Sequence, residues 1–574
     1  MPVDRHPPRR PITERLARGI RNTRLFGRRV GDVEAGLRRR TVPNHWTNLF
    51  GVVTLACIVV LMVTGVLLTF WYTPSSAITI YTGGYIPLVG AEVSQAFAST
   101  MRITFEIPGG LLIRQAHHWA GLLLPASIIM QILATFFTGA FRRPRRGLWV
   151  LLFLIFIVAL AGGWSGYALP DDMLSGTGLR ITEGIVLGIP LVGTWLKSLL
   201  FGGQFPGEII EHLYPLHVFI VPALLIALVA VRAFAAWQHK PPQFPGRGRS
   251  ERNIVGVPVL PTAAARAGGL FALVTGLLLL ISAAVTINPI WLYGPASPGD
   301  AGAGSQPDWY TGFLDGALRL VPPGWEFVWL DRTWTLAILV PLAVVTAYLI
   351  AIAVYPFVEE WITGERREHH LLDRPRNAPT RTAIGVAGIV FYATLWIAAS
   401  ADLISTHFSV TFESVIGVLQ VTVLVGPAIA FFITKRVALA LQRKDQEVLL
   451  HGYETGRIVR LPGGEYIEVH EPISEYERWR ITAVDTPRPL TLRPDERGQL
   501  TPARRIQVRL SRFFFEDRIV VGAPSGAVER VDGSVTTADA AGESDVADET
   551  DVAHSARGDD AELGAHVGGA SAHR

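Results

Sequence analysis

The chain alternates long apolar runs with polar loops, a pattern that predicts helices crossing a bilayer. Apolar stretches of about 20 residues, enough to span a hydrocarbon core as helix, fall near 51–71, 114–138, 148–168, 213–236, 268–287, 333–355, 381–402 and 411–434. The expected fold is an all-α membrane protein with eight transmembrane helices, and an even number places both termini on one side. Residues 183–201 are also apolar, but Gly188, Pro190 and Gly193 interrupt them and a ninth span would upset the parity of the basic loops. They are expected to lie along the interface as an amphipathic segment.

Charge orients the spans. The loops after span two (Arg142, Arg143, Arg145, Arg146), span four (Lys240, Arg247, Arg249, Arg252) and span six (Arg366, Arg367, Arg374, Arg376) are basic. By the positive-inside rule these loops and both termini are cytoplasmic. The opposite loops, 72–112, 169–211 and 288–332, are rich in Gly, Pro, Trp and Tyr and face outward. Net charge is only +4, yet arginines crowd the first forty residues and acidic residues the last forty. Segment 1–45 reads as a basic cytoplasmic extension, because residues 1–40 hold no apolar h-region of the kind a cleaved signal peptide requires. Two four-helix membrane domains, 46–255 and 256–435, precede a cytoplasmic segment, 436–521. The acidic, low-complexity tail 522–574 is expected to be disordered, being too polar to bury a core.

A hydrophobic content of 49% and a mean hydropathy of +0.33 agree with membrane integration. The single cysteine, Cys57, allows no disulfide framework and no cysteine-built metal site. A metal would need histidine or carboxylate ligands. No nucleic-acid partner is expected.

Ionisable side chains inside spans are costly in lipid, so each needs a partner or a function. Span two opens with Arg114-Gln115-Ala116-His117-His118-Trp119 and span four with His212-Leu213-Tyr214-Pro215-Leu216-His217. Each sets an imidazole roughly one to two turns inside its helix, on the outward half of the bilayer. Imidazoles facing one another from two helices can serve as the axial ligands of a haem iron. Hydrogen-bonded interfacial histidines are the alternative, and either His117 or His118 could face inward.

The runs RQAHHWA (114–120), FFTGAFRRPR (136–145), GYALPDDMLSGTGLR (166–180), LHVFIVP (216–222), QFPGRGR (243–249) and QPDWY (306–310) occur in that order. Together they resemble the cytochrome b subunit of actinobacterial menaquinol:cytochrome c reductases, from about His45 to beyond Pro375. The resemblance implies eight spans with b haem held in the bundle of the first four, making 46–255 the haem-binding domain. It implies His117 and His217 as iron ligands, with His118 as the alternative in span two. Arg114 would meet a propionate, and Gly65 and Gly166 would let the flat ring approach the backbone. It also implies menaquinol as substrate and a bacterial cell-membrane location. The implied partners are a Rieske-type iron–sulfur subunit and a cytochrome c subunit in a homodimeric complex, with a terminal oxidase as a further candidate.

The family carries two haems, its spans two and four each holding two histidines about fourteen or fifteen residues apart. Here Gln131 lies fourteen residues after His117, and Val231 and Arg232 lie fourteen and fifteen after His217. Neither Gln131 nor Val231 is a usual haem ligand, and Arg232 has no lone pair to give. Fourteen residues before Gly166, where the family keeps glycine, stands Leu152. The expectation is one haem, at the outer low-potential site.

Pro307-Asp308-Trp309-Tyr310 matches the family's quinol-oxidising motif. Quinol oxidation releases two protons, and Asp308 can accept one as a general base. Trp309 and Tyr310 would wall a flat ring, with the phenol free for a hydrogen bond. Asp171-Asp172 could shape a docking surface for the iron–sulfur partner or cap a helix. Two functions remain: a redox subunit oxidising menaquinol at the outer site, without ordinary electron bifurcation, and a non-catalytic structural or regulatory paralogue with the same fold. Retention of the PDWY motif favours the first, the altered inner positions the second.

Overall fold

The computed structural model describes residues 27–297, 306–482, 488–492, 501–519 and 521. The tail 522–574 and the first 26 residues of the basic extension lie outside the described residues. Eight described helices are long and apolar enough to cross a membrane. Spans one to four are Trp46–Thr69, Gly110–Phe137, Arg146–Ala168 and Ile209–Gln238. Spans five to eight are Val259–Ala284, Leu336–Thr363, Pro379–Ala399 and Phe412–His451. Each apolar run has its helix. A tightly packed core of Cys57, Ile128, Leu152, Phe153, Phe156 and Leu225 joins the first four spans.

Between spans three and four the apolar stretch 183–201 divides between two helices, Met173–Leu187 and Gly193–Phe201. Pro190 cannot continue a hydrogen-bond ladder. A Cβ at Gly193 would stand 2.4 Å from the Val186 carbonyl oxygen, so glycine permits the tight reversal. Short antiparallel strand pairs decorate the helical frame, among them Glu326–Trp329 with Arg332–Thr335 before span six.

Span four departs from an ideal helix. Pro215 removes one backbone donor, and residues Leu216–Ile220 wind as a π-helical turn that carries His217. Span eight is also unusual, running 40 residues, roughly 60 Å at 1.5 Å per residue. That is about twice a hydrocarbon core. The expected boundary at 435 falls inside this helix. Beyond it Lys435, Ala438, Gln442, Asp445 and Val448 recur at helical spacing and are buried, so the helix continues by packing against other chain segments. Gln442 donates to the Arg376 carbonyl at 2.8 Å, and Arg376 pairs with Asp445 at 2.9 Å.

The ends of spans six and seven meet in a buried ion cluster. Arg381 pairs with Glu359 at 2.5 Å and with Asp373 at 2.8 Å, and Arg142 reaches Asp373 at 3.2 Å. Burial alone would raise the Asp373 carboxyl, but the Arg142 and Arg381 guanidiniums hold it well below the usual carboxylate range. Removing one partner from such a cluster strands the others without water. Arg381→Met is therefore expected to destabilise the protein by about 3–5 kcal/mol, read as a lower thermal midpoint in detergent. An unchanged midpoint would show that the cluster contributes little.

Candidate functional site

His117 of span two and His217 of span four face one another, with ring centroids 6.0 Å apart and planes at 71°. Each ring is held by a hydroxyl from a neighbouring span. Thr64 Oγ1 lies 2.9 Å from His117 Nδ1, and Ser165 Oγ lies 3.1 Å from His217 Nδ1. Both hydroxyls already donate to their own helix, Thr64 to the Val60 carbonyl at 2.6 Å and Ser165 to the Gly162 carbonyl at 3.2 Å. Each then accepts from Nδ1–H, a tautomer that leaves the Nε2 lone pair free for a metal.

The residue after each hydroxyl is a glycine, Gly65 and Gly166. A Cβ at Gly65 would stand 3.1 Å from His117 Cε1, and one at Gly166 2.4 Å from His217 Cε1. Thr64-Gly65 and Ser165-Gly166 are the same two-residue device on spans one and three, a repeat the sequence reading missed. Arg114, one turn before His117, is buried with Nε and Nη2 unpartnered among the described residues. Arg114 and the His117–His217 pair line one cavity of about 360 Å³, within the size range of ligand sites.

Asp308 and Tyr310 line the same cavity, with His118. Tyr310 donates its phenol proton to Asp308 Oδ2 at 2.7 Å, and His118 Nε2 lies 3.3 Å from Asp308 Oδ1. The neighbouring histidines thus divide, His117 towards His217 and His118 towards the carboxylate. Tyr310 is only 2% exposed, and burial with Asp308 beside it pushes the phenol well above its usual range. Trp309 donates to the Leu122 carbonyl at 3.2 Å and accepts at its own carbonyl from Trp396 at 3.0 Å, which pins the turn begun by Pro307. A Cβ at Gly163 would meet the Tyr310 ring at 2.5 Å, so span three lets the phenol lie against its backbone.

Asp171 and Asp172 are 7% and 0% exposed. Asp172 caps the helix Met173–Leu187, its N–H donating to Ser175 Oγ at 3.1 Å while that hydroxyl donates to Asp172 Oδ1 at 2.7 Å. Burial pushes both carboxyls above their ordinary value. Both carboxyls are buried and shape the loop from within.

Residues 122–295 match the family model described as cytochrome b (N-terminal)/b6/petB. Over 493 residues the chain is 43% identical to the cytochrome bc1 complex cytochrome b subunit of Streptomyces coelicolor, covering 85% of this chain and 90% of that one. The chain belongs to the cytochrome b subunits of cytochrome bc1 complexes. The subunit of that description from Mycobacterium tuberculosis is 44% identical over 444 residues, covering 76% of this chain and 80% of that one. A solved chain from a hyperthermophilic respiratory Complex III shares this fold at a TM-score of 0.52 and 18% identity, covering 72% of this chain and 98% of that one.

A cytochrome b implies b haem, and the residues around His117 and His217 fit one: two imidazoles with free Nε2, a glycine cradle and an orphaned guanidinium. The positions four turns deeper are arranged differently. Gln131 donates to Thr54 Oγ1 at 2.7 Å, and Thr54 Oγ1 lies 2.7 Å from Ser127 Oγ. Leu152 is 2% exposed, packed with Cys57 and Ile128. Val231 points away from the bundle at 53% exposure, whereas Arg232 buries its Nε without a partner among the described residues.

The two hydroxyls make a direct prediction. Outer-shell partners of metal-bound histidines are typically worth about 10–100-fold in affinity. Thr64→Val with Ser165→Ala is expected to weaken haem retention by about that factor, read by haem transfer to apomyoglobin. Unchanged retention would contradict their orienting role.

Proposed function

We propose that this chain is a membrane redox subunit that oxidises menaquinol at an outward-facing pocket while holding a single b haem between His117 and His217. The observation that carries this reading is one cavity shared by the imidazole pair, Arg114 and the Asp308–Tyr310 pair. Bound there, the haem supplies a one-electron acceptor beside the quinol pocket. Asp308 takes a proton from a quinol hydroxyl. Its carboxylate oxygens each keep a lone pair beyond the bonds to Tyr310 and His118, so the base is positioned without being blocked. Tyr310 walls the pocket, and Trp309, which does not line the cavity, holds the turn that carries both Asp308 and Tyr310.

The single-haem reading rests on Gln131, Arg232 and Leu152. The deeper site lies roughly 21 Å along the helices, and hydrogen-bonded amide, guanidinium and leucine stand where two ligands and a glycine would be needed. Transfer of the second electron to the cytoplasmic side then lacks its relay, and ordinary bifurcation fails. The chain works with a Rieske-type iron–sulfur subunit, a cytochrome c subunit and a terminal oxidase, in a homodimer. It sits in the bacterial cell membrane with both termini cytoplasmic.

The altered inner positions also favour a second reading, a non-catalytic paralogue with the same fold. Menaquinol-driven reduction of cytochrome c by the assembled complex separates the two. Turnover supports the redox role, while a haem-loaded complex without turnover supports the paralogue.

A further inference from the structure

The helix Pro502–Phe515 starts with Thr501 accepting from the Arg504 N–H and with proline in its first turn, both strong helix starts. It packs against the ends of spans six, seven and eight. Gln507 donates to the Trp361 carbonyl at 2.6 Å, and Thr380 donates to the Phe514 carbonyl at 2.7 Å. Phe513 stacks on Phe431 of span eight with planes at 10°, and Lys435 lies over the same ring.

Three stripes run along this helix. Val508, Ser511 and Phe515 are buried against the spans. Ile506, Leu510 and Phe513 are 55%, 38% and 48% exposed, a spacing of four and three that puts them on one face. Arg505, Arg509 and Arg512 repeat that spacing one position earlier and are exposed, their guanidiniums making no hydrogen bond or ion pair with the described residues. An apolar stripe bordered by an arginine stripe is what an interfacial helix presents to a lipid boundary. The depth agrees. Phe431 precedes Lys435 by four residues, about 6 Å of rise, so Phe513 meets span eight where its apolar surface ends. Exposed Phe432 and Ile433 continue that surface.

We infer that the helix Pro502–Phe515 is an interfacial anchor. Its Ile506–Leu510–Phe513 stripe lies among acyl chains, and Arg505, Arg509 and Arg512 hold the headgroups of anionic phospholipids. The cytoplasmic leaflet is the anionic one, and it is the leaflet that the charge of the loops assigns to this end of the spans. The inference rests on that membrane placement and not on the redox reading. Failure of menaquinol turnover would leave it intact.

The test uses the full chain in nanodiscs with a nitroxide on Leu510→Cys, the native Cys57 being buried. In discs containing phosphatidylglycerol the label should collide readily with oxygen and poorly with an aqueous nickel chelate. In phosphatidylcholine discs, and in the Arg505→Gln, Arg509→Gln, Arg512→Gln variant, the oxygen-to-nickel ratio should fall towards that of a water-exposed site. Each near-surface arginine contributes roughly fivefold to partitioning, so the triple change should be plain. A label exposed to water in both lipids would overturn the proposal. So would equal burial with and without anionic lipid, because the arginines would then hold no headgroups. A label exposed in nanodiscs but occluded in native membranes would overturn it in favour of a protein partner.

Discussion

His217→Ala is expected to abolish the b-type α-band of the purified complex, whereas His118→Ala is expected to leave that band in place. The difference follows from what each ring faces. His217 opposes His117 across 6.0 Å, and its Nδ1 is engaged by Ser165, which leaves Nε2 for iron. His118 turns its Nε2 to Asp308. Alanine at 217 removes one of the two proposed axial donors, and no other histidine lines the cavity from span four. In a two-haem cytochrome b, loss of one outer ligand would leave the inner haem and roughly half of the spectrum. Here the whole band should vanish. A residual band after His217→Ala would show a second haem, and loss of the band in a folded His118→Ala protein would reassign the ligand.

Asp308→Asn is expected to lower menaquinol oxidation by about 10²-fold or more, the usual scale for removing a positioned general base. Asparagine preserves the shape and can still accept from Tyr310, but it cannot carry away a proton. Tyr310→Phe removes the 2.7 Å bond to Asp308 Oδ2 and should cost less, about tenfold, because it misplaces the base without deleting it. Both variants should retain the haem spectrum. Near-normal turnover by Asp308→Asn would remove the carboxylate from the proposed chemistry and strengthen the paralogue reading.

Hydropathy made the eight spans legible, since lipid demands long apolar helices and little else of that length is apolar in this chain. Residue type alone singled out His117, His217 and Asp308, and the structure brings all three to one cavity. Geometry within one residue was not legible. The choice between Val231 and Arg232 turned on helical phase, and the π turn Leu216–Ile220, which contains His217, winds about one more residue into its turn than an α-helix does. The inward position therefore arrives fifteen residues later, at Arg232. The resemblance already favoured His117 over His118, and what lay beyond any local pattern was where His118 points, to Asp308 across 190 positions. The extension of span eight past 435 escaped for a related reason: its buried polar stripe is satisfied by Arg376 and Ile519, distant in sequence. The pairing of Thr64 with Gly65 and Ser165 with Gly166 could have been read in advance as a hydroxyl beside each glycine cradle.

The central claim is a single haem, held between spans two and four on the outer side. Pyridine haemochrome and iron quantitation on the purified chain test it most directly. One b haem per chain is predicted. Two per chain would contradict the account, because Gln131, Arg232 and Leu152 would then not close the inner site, and none would contradict the assignment of His117 and His217 as ligands.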